Sequence, residues 1–252
     1  DDARVDLVIW TTTPWTLPAN QAVAVNAELT YQLIEIDGRR VVLAEGLAED
    51  ALGRMDVESP RVLGECNGGA LEGQELAHPF LERRVPVILG EHVTLDAGTG
   101  LVHTAPAHGE EDFAVGKRYH LPVDNPVDGE GRFFADTPLV GGMDLKAGGK
   151  AILERLEADG RLLAHSKFKH SYPHCWRHKT PLIFRATHQW FVSMTQQHLR
   201  DDAIKALENV EFTPDWGRAR IEGMVENRPD WCISRQRFWG VPIALFAHKQ
   251  TG

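Results

Sequence analysis

Ten residues near the start of the chain, 11–20, restrict the backbone more than any other segment. They read Thr-Thr-Thr-Pro-Trp-Thr-Leu-Pro-Ala-Asn and follow a short apolar run over residues 5–10. Each proline fixes its own φ angle and pushes the preceding residue into an extended conformation, which predicts a stiff, irregular loop. The threonine hydroxyls of such a loop would stand at fixed positions, where each can donate and accept hydrogen bonds. A threonine-rich edge strand turned by proline is the alternative, because threonine is common in strands.

A second segment, residues 98–113, combines glycines, two histidines and a cluster of acids. A strand over 101–104 carries His103, Pro106 and Gly109 make a turn, and the acids begin a helix over 112–119, where the helix dipole favours negative charge. The His103 imidazole and the Asp112 carboxylate are nine residues apart across this strand, turn and helix. Such a connection can bring both groups into one pocket.

These two segments resemble the paired signatures of the editing, or connective-peptide, domain of isoleucyl-tRNA synthetases, a branch of the class I aminoacyl-tRNA synthetase family. In the leucyl and valyl branches the first motif typically reads Thr-Thr-Arg-Pro. The third threonine, the following Pro-Trp-Thr-Leu-Pro-Ala-Asn, and the block Trp-Cys-Ile-Ser-Arg-Gln-Arg-Phe-Trp-Gly at 231–240 point to the isoleucyl branch. The resemblance extends from about residue 5 to the C-terminus.

The resemblance implies a proofreading ester hydrolase that removes valine from mischarged valyl-tRNA(Ile) and leaves open whether valyl-adenylate is cleaved too. Direct attack by water is expected, because no serine or cysteine nucleophile has a convincing neighbouring base. The family's two ATP-site signatures, His-Ile-Gly-His and Lys-Met-Ser-Lys-Ser, are missing, so no ligase activity is expected from a chain that looks cut from a larger protein. No cofactor is expected here, while ATP and magnesium serve the full-length enzyme.

The same resemblance assigns roles to individual residues. Asp112 binds the ammonium of the substrate, although by position alone Glu110 or Glu111 could serve equally. His103 forms a wall that excludes the larger isoleucine side chain, and it also holds the attacking water. The alternative is a structural histidine at a strand end whose hydrogen bonds are all made to its protein neighbours. The catalytic hydroxyls and the remaining substrate-binding residues are Thr11, Thr12, Thr13 and Thr16, and Asn20 and Trp15.

Two metal-binding alternatives arise from residue spacing. His103, His108 and Asp112 could form a catalytic zinc site with an open position, which would make the chain a metal-dependent hydrolase. Cys175 and His178, with His170 and His174 close by, resemble half of a zinc knuckle whose second half is not apparent. We predict no metal in the editing site, because the editing site of the family uses none, while the sequence leaves open whether Cys175 and His178 bind zinc.

Short β-branched runs predict strands at 5–10, 21–25, 31–36, 39–44, 61–65, 85–89, 93–95 and 101–104, with a hairpin at Asp37-Gly38. Helical spacing predicts helices at 47–55, 147–159, 198–208 and 216–225. The expected class is a mixed α/β, β-rich fold: a closed or nearly closed barrel-like editing domain with peripheral helices and a C-terminal helical return segment. We place the editing domain with its connecting strands at 1–194 and the helical segment leading back toward the absent catalytic core at 195–252.

The net charge of −9 argues against a nucleic-acid partner until its distribution is considered. Residues 160–200 hold seven Lys or Arg, six His and no Asp or Glu, which indicates a local phosphate-binding footprint or a solvated face paired with nearby acids. Expected partners are the valine-charged 3′ end of tRNA(Ile) and the rest of the synthetase in cis. A non-catalytic tRNA-binding module is the alternative. The three distant cysteines and the lack of a membrane-spanning run suit a cytoplasmic monomer without a membrane partner.

Overall fold

The computed structural model describes residues 4–167, 171–236, 240–243, 245–246 and 248–250. These residues divide into two compact units, 1–186 and 187–252. The strands are β1 Val5–Leu7, β2 Ala22–Val25, β3 Thr30–Ile36, β4 Arg39–Ala44, β5 Arg61–Asn67, β6 Glu75–Ala77, β7 Arg84–Leu89, β8 Val102–Thr104, β9 Phe191–Val192 and β10 Trp231–Cys232. The α-helices are α1 Glu45–Arg54, α2 Glu110–Arg118, α3 Leu145–Ala158, α4 Leu199–Leu207 and α5 Gly217–Glu226. Three short 3-10 helices cover Pro14–Ala19, Gly68–Leu71 and Gln196–His198.

The first unit is built on two four-stranded sheets. One has the order β1-β4-β3-β5, in which β1 pairs parallel with β4 and the other neighbours are antiparallel. The β3–β4 hairpin turns at Asp37-Gly38, where both residues have positive φ, as predicted from this dipeptide. The second sheet has the order β6-β7-β2-β8, with β2 parallel to β7 and antiparallel to β8. The predicted mixed α/β class is confirmed.

The expected closed or nearly closed barrel is corrected here: the described residues of the first unit form no closed barrel but two separate four-stranded sheets. The pairing explains this result, because β1 and β5 end the first sheet while β6 and β8 end the second. The strand predicted at 93–95 is also absent from the described residues, since Val93 directly follows the turn at 91–92 and is buried without pairing in a sheet. A buried valine next to a turn was mistaken for a strand.

A shared apolar core joins the inner faces of the two sheets. Val23 and Val25 of β2 pack there with Tyr31 of β3 and Val42 of β4. Helix α1 covers the other face of the first sheet, and α2 covers the other face of the second through Val115. The sheet that carries β2 and β8 is therefore packed on both faces, and β8 forms one of its edges.

Helix α3 holds the predicted proline-rich loop in place. Its first turn is capped by Asp144, whose carboxylate accepts hydrogen bonds from the backbone N–H groups of Lys146 and Ala147, both at 2.9 Å. Its buried face, with Ile152 fully buried, packs in one cluster with Leu17 of the 3-10 helix Pro14–Ala19. The apolar contact between Leu17 and helix α3 therefore holds the loop in place.

The second unit contains α4, α5 and the antiparallel pair β9–β10. Arg218 of α5 donates to the carbonyl oxygens of Leu207 and Val210, each at 2.8 Å, and so fixes α5 to the end of α4. The contact-based division at 186/187 precedes the predicted domain boundary at 194/195, which stays a prediction. None of the helices in the described part of the chain is long and apolar enough to cross a membrane.

Candidate functional site

A cavity of about 290 Å³ lies in the first unit where the proline-rich segment meets β8 and the start of α2. Six of the eight site residues predicted from the sequence line it: Thr11, Thr12, Thr13, Thr16, His103 and Asp112. Asn20 and Trp15 do not line the cavity themselves. Asn20 contacts the lining residue His103, and Trp15 contacts the lining residue His108. Trp10, His92, Thr94 and His108 are further lining residues to which the sequence assigned no role in the editing site.

The proline-rich segment, residues 11–20, is shaped by local hydrogen bonds and by Pro14. The Thr13 N–H donates to the Thr11 hydroxyl at 3.0 Å, and the Thr16 hydroxyl donates to the Thr13 carbonyl oxygen at 2.9 Å. Pro14 occupies the first position of the 3-10 helix, where its missing N–H costs nothing. The predicted irregular loop is therefore partly a 3-10 helix, since these two bonds close a turn that the composition did not suggest.

His103 enters the site from β8, opposite Val23 of β2. The Thr16 oxygen lies 2.9 Å from its Nε2, and the Asn20 amide nitrogen lies 2.7 Å from its Nδ1. Because the single Thr16 proton goes to a carbonyl, this oxygen must accept the hydrogen of Nε2. The Asn20 nitrogen also donates to the Ala22 carbonyl at 2.8 Å, which assigns it as the amide donor and Nδ1 as the acceptor. His103 is thus a neutral ring with its proton on Nε2.

Burial keeps the His103 ring uncharged. The residue is only 8% exposed, and burial, followed by the nearby His78 and His108, lowers the pKa of His103 to about 3. Both ring nitrogens have protein partners, so the ring presents its body to the cavity while its polar atoms are already satisfied. This geometry suits a wall, whereas holding a water through the ring would require breaking one of the two hydrogen bonds.

Asp112 is the acid of its cluster that faces the cavity. It lies in the first turn of α2, and its Oδ2 accepts a hydrogen bond from the Ala105 N–H at 2.9 Å. Glu110 and Glu111 are exposed and do not line the cavity, so the structure separates the three acids that position alone could not. Burial raises the pKa of Asp112, while the Ala105 N–H and His92 act in the opposite direction. Its second oxygen makes Asp112 a candidate anchor for a cation.

His108 was considered from the sequence only as a metal ligand. Its Nδ1 lies 3.0 Å from the carbonyl oxygen of Phe184, and its ring packs edge-on against Trp15 with the ring centres 4.9 Å apart. Burial lowers the pKa of His108, with the Phe184 carbonyl and Asp124 opposing the shift and Arg185 adding to it. The extended segment that supplies Phe184 is fixed by the Ala186 N–H, which donates to the Ala107 carbonyl at 2.7 Å. No sequence pattern links residue 184 to residue 108.

Across the described residues, no group of three or more His, Cys, Asp or Glu is arranged to hold a metal ion. The Cys175 sulfur lies 3.5 Å from both the backbone nitrogen and Nδ1 of His178, so this pair forms a local turn. Hydrogen bonds from the His178 and Arg177 backbone lower the pKa of Cys175 to about 7. His170 lies outside the described residues, as does Lys169 of the basic segment.

The conspicuous block at 231–240 belongs to the second unit, and its residues 237–239 lie outside the described part. Trp231 and Cys232 form β10 and pair with β9. The guanidinium of Arg228 lies 5.7 Å from the centre of the Trp231 ring, a cation–π distance. The described residues of the block therefore make contacts within their own unit. These contacts do not indicate a catalytic role.

Comparisons with known proteins identify relatives for the whole chain. It is 59% identical over 253 residues to the isoleucine–tRNA ligase of Methylococcus capsulatus, covering 100% of this chain and 27% of the relative. It is 58% identical over 251 residues to the isoleucine–tRNA ligase of Thioalkalivibrio sulfidiphilus, with the same shares covered. The chain thus spans about a quarter of the length of these curated relatives.

A solved structure named as the crystal structure of GlLeuRS-CP1 shares the fold, with a TM-score of 0.52 at 16% identity over 64% of this chain and 84% of that one. The family model for class I tRNA synthetases (I, L, M and V) matches residues 8–252. The resemblance read from the threonine-rich and histidine-containing segments is confirmed by these matches. The chain belongs to the class I tRNA synthetase family of the I, L, M and V group.

Proposed function

We propose that this chain hydrolyses the ester that joins valine to the 3′ end of tRNA(Ile), a proofreading reaction. The observation that carries the proposal is the cavity, which brings four threonine hydroxyls, a buried imidazole and a partly buried carboxylate together from segments about ninety residues apart. The names of the relatives, both isoleucine–tRNA ligases, support the choice of tRNA. The LeuRS-CP1 neighbour supports only the fold.

The physical need for such a reaction lies in the small difference between valine and isoleucine. One methylene in an apolar pocket is worth about 1–3 kcal/mol, a magnitude for which isoleucyl enzymes are themselves the usual example and which is not obtained from this structure. A second site that admits valine and excludes isoleucine would supply the missing selectivity. His103 serves as the wall in this proposal, because its ring is buried and held from both nitrogens.

Asp112 binds the substrate ammonium in the proposed site. A free α-amino ester carries a positive charge that loses water on entering the cavity, and a carboxylate offsets this loss through a charge-assisted hydrogen bond. The Ala105 N–H already orients one carboxylate oxygen, leaving the other for the ligand. The hydroxyls of Thr11, Thr12 and Thr13 position the terminal ribose, the ester carbonyl and the water.

The remaining surfaces would serve the rest of the enzyme. Residues 195–252 lead back toward a class I catalytic core in cis, and the basic segment at 160–200 contacts tRNA phosphates. Neither ATP nor magnesium takes part in the ester hydrolysis. Because both ATP-site signatures are missing from these residues, the chain itself does not charge tRNA.

Deacylation by the purified chain tests the proposal. Valyl-tRNA(Ile) and isoleucyl-tRNA(Ile) are incubated with the chain without ATP, and the remaining ester is counted against a protein-free control. Accelerated loss of valine alone is expected, and the rate should be unchanged by a chelator. Binding without turnover would favour the non-catalytic tRNA-binding module, and a rate abolished by chelation would favour a metal-dependent hydrolase. A parallel charging assay with ATP should give no product.

A further inference from the structure

Two histidines of the cavity carry their protons on opposite ring nitrogens. His103 is protonated on Nε2, because that atom must donate to Thr16 while Nδ1 accepts from Asn20. His108 is protonated on Nδ1, because the Phe184 carbonyl oxygen at 3.0 Å can only accept. The neutral His108 ring therefore has its lone pair on Nε2.

The Nε2 atom of His108 is buried and has no hydrogen-bond partner among the described residues. The residue lines the cavity, and its ring orientation is fixed by Trp15 and by the Phe184 carbonyl. Its backbone is fixed as well, because the His108 N–H donates to the Ala105 carbonyl at 2.8 Å. A buried nitrogen without a partner is costly unless a ligand or a water satisfies it.

We propose that Nε2 of His108 is the general base that takes the proton of the attacking water, an inference that rests on the proposed function. The arrangement is that of a base oriented by a third group, with the Phe184 carbonyl holding the far side of the ring. Burial keeps the ring neutral near pH 7, since it lowers the pKa of His108. His103 cannot take this role while Thr16 and Asn20 occupy its nitrogens.

The step balances as an ester hydrolysis. The water oxygen forms a bond to the ester carbonyl carbon as one water proton moves to Nε2 of His108. The tetrahedral intermediate then breaks its bond to the ribose oxygen, which takes the proton back from Nε2. The products are free valine and a tRNA with its terminal hydroxyl restored, and His108 returns to its neutral state.

His92 is the competing base, because its Nε2 is also buried without a partner among the described residues and it lines the same cavity. Its ring lies against Gly90, where a Cβ would stand 2.4 Å from the ring, and its charge lowers the pKa of Asp112. Among the described residues, no side-chain hydrogen bond orients the His92 ring as the Phe184 carbonyl orients that of His108. The geometry therefore favours His108.

The test compares asparagine and alanine variants in deacylation of valyl-tRNA(Ile) by the purified chain. His108→Asn keeps a donor near the position of Nδ1 for the Phe184 carbonyl and removes Nε2 together with the far edge of the ring. We expect its rate to fall by about 10²- to 10⁴-fold, the usual contribution of a general base. His120→Asn is the matched control, since His120 is exposed at positive φ, where asparagine is well tolerated. Added imidazole should restore part of the rate of His108→Ala.

Other results would overturn the inference. A His108→Asn rate within threefold of wild type removes His108 from the reaction, and an equal or larger loss in His92→Asn assigns the base to His92. A His108→Ala loss that imidazole does not relieve gives the ring a structural role. The ¹⁵N shifts of the two rings provide a readout that needs no activity: Nδ1–H for His108 and Nε2–H for His103. An inactive wild-type chain would instead defeat the proposed function itself.

Discussion

The amide nitrogen of Asn20 donates a hydrogen bond of 2.7 Å to Nδ1 of His103 and thereby sets the tautomer of a buried imidazole. The same nitrogen donates to the Ala22 carbonyl at 2.8 Å, just where the 3-10 helix Pro14–Ala19 gives way to β2. One side chain thus joins the proline-rich segment to the strand pair β2–β8. The ring orientation at the candidate site depends on this junction.

Replacing Asn20 should destabilise the unit and release the His103 ring. Asn20→Ala leaves Nδ1 and the Ala22 carbonyl without this donor, so we expect a loss of about 1–3 kcal/mol in the free energy of unfolding. Asn20→Asp should cost at least as much, because its carboxylate would face a carbonyl oxygen. Urea unfolding measures both, with exposed Asn209→Ala as the control. Unchanged stability in both variants would show that the junction contributes nothing.

Two buried histidines make the stability depend on pH. The pKa of His103 is lowered to about 3 and that of His78 to about 4, in each case mainly by burial. Between these values and the ordinary 6.5, the unfolded chain binds more protons than the folded one, so stability falls as the pH drops below 6.5. Each ring contributes about 1.4 kcal/mol per pH unit over this window. Asp112, whose pKa is raised, acts in the opposite direction.

Urea unfolding at pH 7.5 and pH 5 measures this dependence. We expect about 2 kcal/mol lost per histidine on going to pH 5. His78→Gln should flatten the pH dependence by one histidine's share, because glutamine does not titrate. Equal free energies of unfolding at the two pH values in the wild-type chain would contradict the burial of both neutral rings.

Much of the candidate site was predictable because its residues lie in two local motifs. The hydroxyl of Thr16 and the ring of His103 meet through the antiparallel pair β2–β8 across 87 positions of sequence, so the resemblance of the two motifs, and no local pattern, predicted that they share a site. The convergence of the His103 and Asp112 side chains on one cavity follows from the strand–turn–helix between them. Local patterns carry such information because the connecting chain is short.

The missing parts depend on contacts between distant segments. Phe184 orients His108 across 76 positions of sequence, and no pattern in either segment announces the other. The parallel pairings of β1 with β4 and of β2 with β7 likewise connect strands that are not neighbours in sequence, which is why a barrel was predicted in place of two sheets. The strand predicted at 93–95 failed for another reason, since Val93 is buried next to a turn and not in a sheet.

Gly100 should not tolerate a side chain. Its φ of +75° is unfavourable for other residues, and an added Cβ would stand 2.2 Å from the Cβ of Ala44. We expect Gly100→Ala to lower the free energy of unfolding by about 2–4 kcal/mol. Gly53→Ala is the matched control: Gly53 lies in α1 with open space around it, so the change should stabilise by about 0.5 kcal/mol. Relative to the wild-type chain, the midpoint temperature of thermal unfolding should fall for Gly100→Ala and rise for Gly53→Ala. Shifts of the same sign in both variants would refute the steric argument.

Shortening His103 should change which ester the site accepts. His103→Ala removes the buried ring that faces the cavity, so the isoleucyl side chain gains room. The ratio of isoleucyl- to valyl-tRNA(Ile) deacylation rates should rise by about tenfold, the lower end of what one methylene is worth. His103→Gln keeps most of the bulk and should leave the ratio low. A His103→Ala variant that cleaves valyl-tRNA normally and still spares isoleucyl-tRNA would remove the wall role.

Asp112 gives the sharpest test of substrate charge. Asp112→Asn can still accept the Ala105 N–H but has lost its negative charge, so folding should be kept while ammonium binding is lost. A charge-assisted hydrogen bond contributes about 1.5–3 kcal/mol, so turnover of valyl-tRNA(Ile) at low concentration should fall by about tenfold to a hundredfold. Asp112→Ala should fall at least as far. Glu110→Gln is the control, because Glu110 is an exposed acid in the same helical turn.

N-acetyl-valyl-tRNA(Ile), which lacks the ammonium, separates the charge from every other role of Asp112. The wild-type chain should hydrolyse this substrate poorly, because the carboxylate loses water on contact with a neutral amide and gains no charge pair. Asp112→Asn should lose little further rate on it. The ratio of free to acetylated turnover should therefore collapse in the variant while remaining high in Glu110→Gln. Equal losses on both substrates would mean that Asp112 acts through folding or water placement, and its role in binding the ammonium would have to be given up.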